Sequence, residues 1–251
     1  MLPAQRVLAQ ELAVSRDTMQ RVLRSMVAEG WIASRQGSGS RVVKAPAAAA
    51  SPVRGGTVRL EHALPEAFAQ PRVVLDVFNL SSESLDVPIR LQLDRIRQGE
   101  IAPESVAVRM LLPTPDAPLT YPLVKGHPED TRARDRVHRI AEPRVQLLRE
   151  EFSRLGESAP AGSYSFEVRR AALTPSFKLY LINGTEALFS PYTLVERPNV
   201  LDDGKEVETL DVQGLGARLH RFTLGDPASS GGAFVEDMQE WFDSVWDLLA
   251  R

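Results

Sequence analysis

Cysteine is absent from the 251 residues of this chain, which excludes disulfides and thiolate metal or redox chemistry. Histidine is scarce. His62, His127, His138 and His220 fall in no motif, and each reads as a surface or satisfied polar residue, so no metal ion and no cofactor is expected. No apolar run is long enough to span a membrane, and the first residues lack the apolar segment of a signal peptide; a cytoplasmic location with no membrane partner is expected. Internal repeats are missing too. The one low-complexity stretch, APAAAASPVRGG at 45–56, has little to bury and reads as a linker.

What is present suits a folded protein of one large or two modest domains, with 43% hydrophobic and 25% charged residues. Charge is unevenly divided. Residues 1–44 hold seven basic and three acidic side chains, a net of +4, and since the whole chain carries −3 the remainder carries −7. A basic head on an acidic body is the footprint of one part that touches phosphate and another that does not.

Within the head, Ser15 is followed by Met19, Val22, Leu23, Met26 and Val27, whose spacing marks one face of a helix. The other face carries Asp17, Gln20, Arg21 and Arg24, with Arg16, Asp17 and Thr18 in the first turn after a Ser N-cap. Upstream, Pro3 suits the first turn of a helix to about Leu12, and Ala13 and Val14 leave only a tight turn between the two. Two short helices joined so closely form a helix-turn-helix, whose second helix enters the major groove by its N-terminal end. Gly30 then stops the helix, and 31–35 and 41–44 read as strands around the basic-flanked tip at 36–40, completing a winged helix-turn-helix domain over 1–44.

The stretch LPAQRVLAQELAVSRDTMQRVLRSMVAEGWIASRQGSGSRVVK closely resembles the head of the GntR-type regulators, with helix spacing, VSR turn and RQGSGS wing agreeing together. The resemblance implies contacts to double-stranded DNA from Arg6, from Ser15, Arg16, Asp17, Thr18 and Gln20, and from Arg35, Gln36 and Gly37 at the wing. Three departures stand out. Ala13 replaces the usual turn glycine, where left-handed backbone costs about 1 to 2 kcal/mol. Asp17 replaces a small polar residue and is read as pairing with Arg21 on the helix surface. Third, the resemblance leads one to expect a helix before the LPS motif, and this sequence starts directly before that motif; either its start is truncated or other parts of the protein cover that flank of the head.

From Thr57 to Arg251 a second, effector-binding and dimerising domain is expected, α/β or α+β with a mixed sheet. The apolar run at 73–80 has the pattern of a central strand covered on both faces. Leu85, Ile89, Leu93 and Ile96 line a helix that Gly99 ends, and 105–112 reads as a strand parallel to the first. Residues 113–130 read as a Pro-rich loop. A helical tract follows to Leu155, with Val137, Ile140, Leu148, Phe152 and Leu155 inward and Pro143 dividing or kinking it. Strands at 164–170 and 177–182, a hairpin at Asn183-Gly184 and a second at Asp203-Gly204 come next. A last helix carries an apolar stripe of Phe234, Met238, Trp241, Phe242, Val245, Leu248 and Leu249.

The order of these elements resembles one half of the phospholipase D superfamily, with 176–183, SFKLYLIN, standing where that family has HxKxxxxD. Lys178 is retained, but Ser176 replaces the nucleophilic histidine and Asn183 the acid. The resemblance implies a catalytically dead site with no catalytic residue, in which Ser176, Lys178 and Asn183 hold a small, anionic effector, Lys178 acting as a compact charge. It also implies pairing of two such halves across a two-fold axis. A homodimer suits the head as well, since two heads on one axis read a palindromic operator. The expected function is thus a bacterial-type, ligand-responsive dimeric repressor and not an enzyme. The alternatives are a phosphodiesterase-like enzyme with a DNA-binding head, and an architectural DNA-binding protein whose body only dimerises.

Overall fold

The computed structural model describes residues 19–20, 23, 32–35, 39–42, 56–116, 119–158, 163–201, 204–213, 218–225 and 230–251, the strands within 32–42 by backbone alone. The chain divides into two units, Met1–Arg54 and Gly55–Arg251. In the first, Met19 is helical and buried while the helical Gln20 beside it is exposed, as a helix with a dry and a polar face requires. Strands β1 (Ile32–Arg35) and β2 (Gly39–Val42) pair antiparallel, Arg35 opposite Gly39. The second strand begins at Gly39, inside the expected tip of 36–40.

The second unit is built on a seven-stranded mixed sheet ordered β3-β12-β9-β8-β4-β5-β7, formed by β3 (Thr57–Val58), β4 (Arg72–Phe78), β5 (Ser105–Pro113), β7 (Ser163–Ala171), β8 (Phe177–Ile182), β9 (Glu186–Pro191) and β12 (Leu219–Thr223). β4, β5 and β7 run parallel; β8, β9, β12 and β3 continue the sheet antiparallel. Helices cover both faces, the arrangement that parallel strands demand. Val73, Leu75, Val77, Val106, Val108 and Met110 point into one layer, against α1 (Leu60–Phe68), α2 (Glu83–Arg97) and α3 (Arg132–Ser158). Phe78, Leu111, Leu179 and Leu181 point the other way, against α4 (Gly231–Leu248). Alternation along each strand therefore supplies two cores from one sheet.

Helix α1 is an element without a sequence expectation; its nine residues contain Pro65, yet Leu60, Leu64 and Phe68 bury against the sheet. Residues 113–130 are not wholly loop, because β6 (Leu123–Val124) pairs with β11 (Glu206–Gln213), which pairs with β10 (Thr193–Val200) in a second, three-stranded sheet. Pro143 does not divide α3, which continues through it. The proline is exposed, and the Arg144 guanidinium donates to the Ile140 carbonyl at 2.7 Å, one residue past the amide-hydrogen gap. Ile140 is only half-buried, the inward positions being Ala141 and Val145. At the end of α4, Leu248 is 86% exposed and Leu249 is also outside the core. Trp246 takes the inward place.

Candidate functional site

Two segments carry the expected function, the head and the middle of β8. Arg6, Ser15, Arg16, Asp17, Thr18, Gln36 and Gly37 lie outside the described residues, as does the side chain of Arg35. Gln20 is exposed on its helix.

On β8, Phe177, Leu179 and Leu181 pack toward α4, so Lys178, Tyr180 and Ile182 face the opposite layer. Lys178 is 4% exposed. Its ammonium donates to Ser84 Oγ at 2.5 Å and stands 5.8 Å from the Tyr192 ring centroid. Burial lowers the Lys178 pKa to about 8, opposed by the charge of Glu83. Tyr180, deeper in the sheet, accepts from Asn79 Nδ2 at 3.2 Å and also bonds Ser84; burial pushes its phenol up to about 12. Tyr192, raised by burial as well, accepts from the Leu80 backbone N–H at 3.0 Å. This polar seam sits where β4 ends and α2 begins, at the carboxyl edge of the parallel strands, the place where open α/β sheets hold ligands.

A cavity of about 320 Å³ opens there. Leu60, Val87, Pro88, Leu91 and Leu219 give it an apolar wall; Ser84, Lys178 and Tyr180 give it a polar one. Glu83 and the Arg59–Glu61 pair, 3.4 Å apart, add two acidic groups and one basic group to the lining. Among the described residues there is no cluster of His, Asp and Glu that could ligate a metal, and no helix long and apolar enough to cross a membrane.

The three residues of the 176–183 motif are not gathered by this geometry. Ser176 precedes β8 and is exposed, its carbonyl accepting from Tyr192 N–H at 2.9 Å. Asn183 follows the strand at its far end, roughly 17 Å of extended chain beyond Lys178. Its side-chain oxygen accepts from Val74 N–H at 2.8 Å, and its φ of 54° makes it a turn former. Asn183 therefore belongs to the turn and not to the cavity. The hydroxyl beside Lys178 is that of Ser84, which sequence reasoning missed because it arrives from α2 through tertiary packing. Ser190, opposite Lys178 in the β8–β9 ladder, is buried and was also missed.

Residues 1–42 match the family of bacterial regulatory proteins, gntR family. The head is thus similar to a GntR-type DNA-binding domain and supports a transcriptional regulator that binds DNA, in preference to an enzyme. No curated protein and no solved structure matches the chain.

Proposed function

We propose that this chain is a dimeric, ligand-responsive transcriptional repressor whose head, residues 1–44, reads a palindromic operator and whose body, residues 57–251, binds a small effector at Lys178. The observation that carries the reading is the buried Lys178 in a ligand-sized cavity, within a chain whose head matches gntR-family regulators. Arg6, Ser15, Arg16, Asp17, Thr18 and Gln20 contact DNA from the helices, with Arg35, Gln36 and Gly37 contacting it from the wing. The body is read as a degenerate phospholipase D-like half, supported by the parallel β4–β5–β7 core and by a hairpin that carries the lysine. Its site retains the cation but offers neither histidine nor acid in the motif. An effector with an anionic or strongly polar end meets Lys178, and its apolar part meets Val87 and Leu91. Effector binding changes DNA affinity only through a difference in affinity for two dimer arrangements.

Two substitutions separate the roles. Arg16→Ala weakens operator binding by tenfold or more, whereas Lys178→Ala leaves operator affinity within twofold of the parent and removes the response to effector. Gel-shift titration with and without compounds from a thermal-shift screen measures both. Loss of operator binding in a folded Lys178→Ala dimer would sink this division of labour.

A further inference from the structure

We propose that Ser84 and Lys178 form a nucleophile and base pair that accepts an acyl group from a small carboxylic ester in the cavity beside α2. The inference goes beyond effector binding, which needs only the lysine, and does not depend on the head. Three features support it. The Lys178 Nζ and Ser84 Oγ atoms are 2.5 Å apart and both residues line the cavity, so nucleophile and base are within reach of each other and of a ligand. Ser84 lies in the first turn of α2, the helix end that bears partial positive charge, and the Tyr180 hydroxyl, itself held by Asn79, bonds the same serine. Burial at 4% exposure disfavours the charged ammonium; with its pKa near 8, roughly one lysine in ten is a free amine at pH 7.

Lys178 Nζ takes the Ser84 hydroxyl proton as Oγ bonds to the ester carbonyl carbon, giving a tetrahedral oxyanion. The ester C–O bond then breaks, and the departing alkoxide takes the proton from Lys178 and leaves as the alcohol. Acyl-Ser84 remains. Water attacks its carbonyl carbon while Lys178 accepts the water proton and returns it to Ser84 Oγ, releasing the carboxylic acid. No oxidant, reductant or co-reactant other than water is needed. The apolar wall formed by Leu60, Val87, Pro88 and Leu91 suits a short alkyl or aryl acyl group.

The test uses the full chain with p-nitrophenyl butyrate, following nitrophenolate release and mapping the acyl adduct by peptide mass spectrometry. The expected result is a release burst of about one equivalent with butyrate on Ser84, reduced at least tenfold in Ser84→Ala and in Lys178→Arg. Ser84→Ala removes one oxygen and is checked for fold by circular dichroism. Release by Ser84→Ala as fast as by the parent, an adduct on another residue, or no adduct and no release would overturn the pair. DNA binding is read separately, so failure here is distinct from failure of the regulator reading.

Discussion

The left-handed backbone at Asn183 and its side-chain bond to Val74 fix one corner of the sheet. Alanine there pays about 1 to 2 kcal/mol for the left-handed conformation and about 1 kcal/mol for the lost bond. Asn183→Ala should therefore lower unfolding free energy in urea by about 2 to 3 kcal/mol, and a drop below about 0.5 kcal/mol would contradict the structural role. Lys178 makes the opposite prediction. Its pKa of about 8 in the folded chain lies below the ordinary 10.5, so between those values the unfolded state binds more protons and stability rises with pH. Below pH 8 the folded chain bears the cost of a buried charge, on the order of 3 kcal/mol. Lys178→Met should consequently show its largest stability gain over the parent at pH 7, with the gain shrinking by pH 10.5, in paired denaturation curves. A difference independent of pH would show that burial does not depress the lysine. The strand that carries Lys178 is legible in the sequence; that Ser84 stands beside the lysine is not, since the two are separated by 94 positions and meet only when α2 packs on the sheet.

Among the elements, those with long apolar periodicity were legible. Helix α2 was read from Leu85, Ile89, Leu93 and Ile96, all buried, and Gly99 ends it with φ of 72°. Strands β4, β5 and β8 were read from their apolar runs, and the parallel β4–β5 pair followed from strand, helix, strand order. β3 and β6, two residues each, are too short to display a period. The β8–β9 register was hidden for another reason. Asn183 and Gly184 both take positive φ, as a two-residue turn requires, but pairing resumes with Ile182 opposite Glu186, leaving Thr185 as an extra residue. A tight two-residue turn would have placed Phe189 opposite Lys178; the extra residue places Ser190 there, since a one-residue slip exchanges the faces. The α4 helix was legible as an apolar stripe, but its polar clamp was not. Asp76, 1% exposed, accepts from Arg109 at 2.6 and 2.7 Å and from Gln239 at 2.9 Å, and Arg109 also reaches Asp243 on α4 at 2.7 Å. Hydrogen bonding to Asp76 raises the Arg109 pKa and keeps it charged. Arg109→Met strands a buried carboxylate and should cost about 3 to 5 kcal/mol, with red-shifted Trp emission as α4 loosens. Adding Asp76→Leu should restore most of that stability. Equal instability of the single and double variants would mean that the clamp is not what Arg109 provides.

For the whole molecule, the basic head and acidic body set the electrostatic expectation. Phosphate contacts from the head release counterions, so operator affinity should fall linearly on a log–log plot against salt, by about 10³-fold or more between 50 and 200 mM if six or more phosphates are contacted per dimer. A slope near zero would remove the arginine contacts from the account. The boundary between the two units, at Arg54 and Gly55, falls within 45–56, where composition changes abruptly, and the head has a specific motif that the family match covers; the second sheet and the cavity arise from contacts between segments with no local signature.

Selection of bound duplexes from a random DNA pool by the purified chain, at near-physiological salt and without ligand, reads sequence recognition and dimer spacing in one experiment. The expected result is an enriched site with two symmetric half-sites separated by about one helical turn or a multiple of it. No enriched sequence from a protein shown to be folded would contradict the claim that this chain is a sequence-specific DNA-binding dimer.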